Sequence, residues 1–220
     1  MIKTLYNKDR TRLTLVKSIP GSNTNFLFLP GGPGVDSHSL MGCVDSMNLP
    51  GNYWLIDLVF NGTNDEYEWS DDSIFLKWPL FLKNAIAEFE NPILIGHSFG
   101  GFLPFFSDGL EDHLNGLIIL NSCPNLTSPI FAETAKTHNL PSLSPEKDAF
   151  INKPSLLNMK ALYEKEVFYF FSKKYQQIGL ETIIQKLRFC LRTEHWWYTK
   201  GFSQFPSAQF IPSKTPILLI

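Results

Sequence analysis

The stretch Ile93-Leu94-Ile95-Gly96-His97-Ser98-Phe99-Gly100-Gly101 constrains this chain more than any other. Its first three residues continue an apolar run from Pro92, the mark of a strand buried on both faces. The residues after Ser98 open a helix, so a single serine stands where strand becomes helix. A turn that tight brings the backbone on its two sides into contact. The positions two before and two after the serine must therefore lack side chains, and Gly96 and Gly100 satisfy this. Such a turn lifts the Ser98 hydroxyl above the end of a sheet, with a helix N-terminus beneath to favour negative charge. A chance glycine-rich turn would not come with a strand before it and a helix after it.

A serine held this way needs a parallel sheet, and the rest of the pattern supplies one. Lys3–Tyr6 and Arg12–Lys17 alternate apolar and polar residues around a polar turn and read as an antiparallel pair. Phe26-Leu27-Phe28-Leu29 runs into Pro30-Gly31-Gly32-Pro33-Gly34, a buried strand entering a loop. Then come a helix over 37–48, a strand over 53–58, a helix over 74–89 with Pro79 near its first turns, the strand before Ser98, a helix over 99–110 that Pro104 should bend, and a strand over 117–120. Strand and helix alternate through short links, which predicts an α/β fold with a mostly parallel sheet and helices on both faces. After Cys123 the rhythm breaks. Residues 128–138, 145–152, 155–175 and 179–205 have helical character, and strand character returns only at Ile217. The expected organisation is a core over 1–123, an inserted helical cap over 124–213, and a return strand over 214–220.

Charge and cysteine usage narrow the partners. With 19 Lys+Arg against 21 Asp+Glu the net charge is -2, so no basic field exists to hold a phosphate backbone and nucleic acid is excluded as the expected partner. No apolar window approaches the ~20 residues that span a bilayer, and the N-terminus has no signal-like stretch, so no membrane partner is expected. Three scattered cysteines, Cys43, Cys123 and Cys190, form neither a disulfide framework nor a zinc site. A cytoplasmic protein acting on a small molecule, with no metal and no cofactor, is the expectation.

The loop 30–34 gains meaning from the turn at Ser98. Acyl transfer develops an oxyanion that needs two preorganised N–H donors, one from the residue after the nucleophile, Phe99, and one from a loop like this. Gly32 is the first choice for the second donor and Gly31 the next, because Pro33 has no N–H. His97 is a tempting base, but sequential neighbours on such a turn diverge, and a packed or loop-bracing role fits it better. His195-Trp196-Trp197-Tyr198, with Phe202 and Phe205, is an aromatic cluster at helical spacing. It reads as cap core first and pocket lining second, and Phe168-Tyr169-Phe170-Phe171 is a similar case.

These two motifs resemble the α/β-hydrolase superfamily, in particular its prolyl-aminopeptidase-like branch, over roughly residues 25–220. The resemblance implies a nucleophile at Ser98, oxyanion donors at Gly32 and Phe99, and a cap that shapes the pocket. Pro30 stands where that branch usually has His. The superfamily's order of Ser, then acid, then His implies a carboxylate after a late strand and a histidine after the last one. Neither is found. The strand over 117–120 ends in Asn121-Ser122-Cys123, while His113, His138 and His195 all precede the return strand. Three expectations follow: a hydrolase shortened at its C-terminus, with part of the sheet missing and impaired activity; an active hydrolase recruiting His195 or His138; or a non-catalytic binding module on this scaffold. A last strand left as an apolar edge further implies a homodimer or aggregation.

Overall fold

All five residues of Asn25–Leu29 are buried, and this strand, β3, takes the centre of a seven-stranded sheet. The computed structural model describes residues 3–65, 68, 71–124, 130–182, 184–205 and 208–220. The sheet runs β1 (Lys3–Tyr6), β2 (Arg12–Lys17), β4 (Asn52–Asp57), β3, β5 (Pro92–His97), β6 (Gly116–Leu120), β7 (Ile217–Leu219). β1 and β2 pair antiparallel, as does β2 with β4, and every later pairing is parallel.

The period of two along each strand separates two cores. Leu27, Leu29, Ile56, Leu94, Leu117 and Ile119 face α2 (Trp78–Ile86) and α3 (Phe99–Phe102). Phe26, Phe28, Tyr53, Leu55 and Ile95 face Leu40 and Val44 on the other side, where α1 (Met41–Ser46) lies. Helices thus cover both faces, as the alternation predicts. Pro79 sits in the first turn of α2, after a 3₁₀ turn at Asp72–Lys77. There its missing N–H has no intrahelical partner to lose.

Two expected helices are corrected. The helix over 99–110 stops after one α turn: Leu103–Phe106 is 3₁₀ with Pro104 in its first turn, and a second 3₁₀ turn covers Leu110–His113. Pro104 ends the α turn rather than bending it. The helix over 179–205 is five shorter pieces: α7 (Gln176–Thr182), a 3₁₀ turn at Ile184–Lys186, α8 (Leu191–Trp196), a π turn at Trp197–Gly201 and α9 (Phe202–Gln204). Between them Phe189 forms an isolated antiparallel bridge with Val35, so the intervening region is not purely helical. The other expected helices appear as α4 (Ile130–Thr137), α5 (Ser144–Asn152) and α6 (Leu156–Phe170). The expected start at Ser128 lies outside the described residues.

The segment between β6 and β7 has its own core of Phe150, Met159, Leu162, Tyr163, Val167 and Ile184, and it shares one residue with the loop after β3, the buried Val35. Among the described residues no helix is long and apolar enough to cross a membrane.

Candidate active site

Ser98 adopts φ 51° and ψ −120°, a left-handed conformation that a non-glycine residue holds only at a cost of about 1–3 kcal/mol. Its neighbours enforce it. A Cβ on Gly96 would lie 2.3 Å from the Gly100 carbonyl oxygen, and one on Gly100 would lie 2.4 Å from the Pro30 oxygen. Neither distance is sterically possible, so both glycines are obligatory for this close approach of β5, α3 and the loop after β3. The Ser98 N–H donates to the Leu120 carbonyl at 3.0 Å, tying the turn to the end of β6. The Ser98 carbonyl accepts from the N–H groups of Gly101 at 2.9 Å and Phe102 at 3.1 Å. The hydroxyl is left half-buried, with no hydrogen-bond partner among the described residues.

The loop 30–34 stands directly against this serine. A Cβ on Gly31 would lie 2.9 Å from Ser98 Cβ and 3.2 Å from His97 Nδ1. Gly32, at φ 112°, turns its own face onto the Gly34 and Val35 amides, and the Gly32–Pro33 peptide is cis. The structure therefore gathers Ser98, Phe99, Gly31 and Gly32 in one place. The N–H groups of Phe99, Gly31 and Gly32 have no acceptor among the described residues. Burial pushes the His97 imidazole below its ordinary value, toward the neutral form, and its neighbour across the turn is the loop.

Three other histidines, His195, His113 and His138, lie apart. His195 Nε2 is 3.1 Å from the Ile151 carbonyl and its ring packs on Phe150, inside the segment between β6 and β7. His113 closes the 3₁₀ turn before β6, at the opposite end of the sheet from Ser98, and His138 is exposed just after α4. None is hydrogen-bonded to Ser98. Two surface grooves of about 430 Å³ each, one around Phe170 and Ile178 and one around Leu80 and Phe205, also lie away from the serine.

Phe99 joins the turn to the intervening helices. Its ring meets Trp197 at 5.0 Å, Trp78 at 5.7 Å and Phe102 at 6.0 Å, while Trp196 stacks on Phe75 at 4.7 Å. Of the expected aromatic cluster, Trp196, Trp197 and Phe205 are thus buried where the two parts of the chain meet, while His195 and Tyr198 are half-buried and Phe202 is exposed.

Sequence reasoning did not assign four buried acids, three of them (Asp36, Asp57 and Glu194) at or beside the stretch 34–37 and the fourth, Glu166, within the segment between β6 and β7. Asp57, at the end of β4, accepts from Ser37 N at 2.6 Å and Ser37 Oγ at 2.8 Å and pairs with Arg12 Nη2 at 2.9 Å. Asp36 is buried; that burial, with Asp57 close by, raises its carboxyl above the ordinary range, and Arg188 at 3.7 Å opposes the rise. Glu194 is 1% exposed and accepts from Tyr163 Oη at 2.9 Å, and Glu166 accepts from Tyr198 Oη at 2.9 Å. Burial raises both carboxyls, Glu166 to about 7 and Glu194 well above its ordinary value. The available signal for Glu194 was an acid inside an aromatic run, Thr193-Glu194-His195-Trp196-Trp197.

No family model and no curated protein matches this sequence. Solved structures do match. An alpha/beta hydrolase enzyme, MGS-M2, from a Medee basin deep-sea metagenome superposes with a TM-score of 0.64 at 14% identity, over 99% of this chain and 78% of that one. The fold is that of the α/β-hydrolases. An esterase, RhEst1, from Rhodococcus sp. ECU1013 gives 0.61 at 14% identity over 99% of this chain and 79% of that one. The bottromycin epimerase BotH gives 0.60 at 10% identity over 99% and 79%. The same architecture thus carries more than one reaction, and the reaction of this chain must be argued from its site.

Proposed function

We propose that this chain is a serine hydrolase of small ester or amide substrates, acting through an acyl-Ser98 intermediate. The observation that carries the reading is the left-handed Ser98 on a strand-to-helix turn with Gly31 packed against its side chain. In the proposed reaction Ser98 Oγ bonds to the substrate carbonyl carbon, and the charge arriving on the carbonyl oxygen is met by the N–H groups of Phe99 and Gly32, with Gly31 the alternative donor. The Oγ proton passes to the departing alcohol or amine, whose bond to carbon breaks. Water then cleaves the acyl ester and returns the proton to Ser98. The helices between β6 and β7 act as a cap, and the Pro-Gly-Gly-Pro-Gly loop supports the prolyl-aminopeptidase-like branch of the fold.

No described histidine is hydrogen-bonded to the Ser98 hydroxyl, so the expected reactivity is that of nucleophile and donors without an assigned base. The same observation favours a second reading, a ligand-binding module on the hydrolase scaffold. A fluorophosphonate probe separates them: slow covalent labelling, absent in Ser98→Ala, is the result expected of the hydrolase. Ester turnover that is equal in wild type and Ser98→Ala refutes it, as does a complete absence of labelling at millimolar probe.

A further inference from the structure

The segment 188–194 grips the loop that follows β3. Cys190 N–H donates to the Gly34 carbonyl at 2.9 Å, Asp36 N–H donates to the Arg188 carbonyl at 3.2 Å, and Phe189 bridges Val35. Thr193 Oγ1 donates to the Phe60 carbonyl at 2.6 Å and holds the grip on the core side. Gly34, at φ 96°, is pressed against this segment: a Cβ there would lie 3.1 Å from Glu194 Cγ and from Thr193 Cβ. Glu194 and Thr193 are therefore the side chains on which the loop rests at Gly34.

The Glu194 carboxyl is one half of a buried acid pair. Tyr163 donates to it from α6, Glu166 on the same helix is near enough for its charge to oppose ionisation of Glu194, and Tyr198, just past α8, donates to Glu166. No described cation forms an ion pair with either carboxyl: Lys147 of α5 has its Nζ 5.7 Å from the centre of the Tyr198 ring, and Lys165 of α6 pairs with Glu146 at 3.5 Å. His195 turns away to Ile151, Arg192 is held by Asp72, and Asp36 with Arg188 sits on the loop itself. The thiol of Cys190, raised by burial, and the Lys165–Glu146 pair between α6 and α5 are further titratable groups on these elements. Two carboxyls in such a pocket rest comfortably only while protonated, because a buried unpaired charge must recruit water or displace its surroundings.

We propose that Glu194 and Glu166 form a positioning device for the oxyanion loop, in which the protonated pair keeps Gly34, and with it Gly31 and Gly32, seated against Ser98, and ionisation of Glu166 loosens that seat. The role of the loop as a donor rests on the hydrolase reading; the mechanical coupling does not. Burial holds Glu166 at about 7, and its charge then opposes ionisation of Glu194, so Glu166 is the member that titrates first.

The test is amide hydrogen exchange at Asp36 and Cys190, the two N–H groups that tie loop to cap, followed from pH 5.5 to 8.5 and corrected for the intrinsic pH dependence of exchange. Wild type should lose protection about tenfold through a midpoint near 7. In Glu166→Gln, which keeps the Tyr198 acceptor and cannot ionise, protection should stay level. Tyr198→Phe removes the one hydrogen bond that favours the carboxylate, so its midpoint should move upward; it also serves where Glu166→Gln does not fold. Protection independent of pH in wild type, or the same pH dependence in wild type and Glu166→Gln, overturns the proposal. Fluorophosphonate labelling in the same samples should fall with the same midpoint. If Ser98 is never labelled while the exchange transition persists, the hydrolase reading alone fails and the coupling stands.

Discussion

Replacing Glu166 by Gln should stabilise the protein in a manner that depends on pH with a defined sign. The carboxyl has an ordinary value of 4.5 and a folded value of about 7. Below pH 4.5 it is protonated in both the native and unfolded states, and the acid costs nothing. Between 4.5 and 7 the unfolded chain releases a proton that the native state retains, so wild-type stability falls as pH rises. Above 7 both states have released it and the loss is constant. At about 1.4 kcal/mol per pH unit, that gap amounts to about 3 kcal/mol. Glutamine has no proton to release and still accepts from Tyr198, so it escapes the loss. For a chain of this length, 1 kcal/mol moves Tm by about 2–4 °C. The Tm of Glu166→Gln minus that of wild type should therefore grow by about 10 °C between pH 4.5 and 7.5, measured by circular dichroism melts in matched ionic strength. A difference that stays constant across that range would show that Glu166 is not held protonated by its surroundings, and the reasoning from burial would be wrong.

Other substitutions probe the turn, the histidines and the sheet edge. Ser98→Gly relieves a left-handed φ of 51° and should raise stability by about 1 kcal/mol while abolishing probe labelling; a lower Tm would contradict the strain. Gly100→Ala has to place a methyl 2.4 Å from the Pro30 oxygen, so it should cost several kcal/mol and leave little soluble protein; wild-type expression and melting would refute the close approach. His195→Ala should change Ser98 labelling by less than twofold, since its ring is committed to Ile151 and Phe150, and a tenfold loss would revive it as a recruited base. Leu218 and Leu219 of the outer strand β7 are 53% and 69% exposed, and Ile220 just past it is 69% exposed. Self-association through this edge should appear in sedimentation at tens of micromolar and vanish in Leu219→Lys, and a monomeric wild type rules it out.

The sheet was legible because its strands are apolar runs with unmistakable ends, and β3 and β5 meet the loop and the serine where the glycines say they should. The helix behind Ser98 was misjudged in length because Pro104 was credited with a bend. With Phe102, Phe105 and Phe106 all wanting burial, a shift to 3₁₀ turns satisfied the proline and the packing together. The run 179–205 looked continuous because its composition is helical throughout. What interrupts it is a long-range contact, the bridge from Phe189 to Val35 some 150 positions earlier, and no local pattern reports such a pairing. The site divided the same way. Ser98, Gly31, Gly32 and Phe99 announce themselves through spacing, whereas Asp36, Asp57, Glu166 and Glu194 owe their character to burial against distant residues.

Phe99 has two loyalties. Its main chain belongs to the turn beside Ser98, and its ring meets Trp197 and Trp78 edge-to-face. The residue is a rivet driven through both halves of the molecule. Any replacement of the helices between β6 and β7 must therefore bring an aromatic partner for that ring. A replacement without one leaves the ring bare to solvent at the spot where the backbone has to be held still.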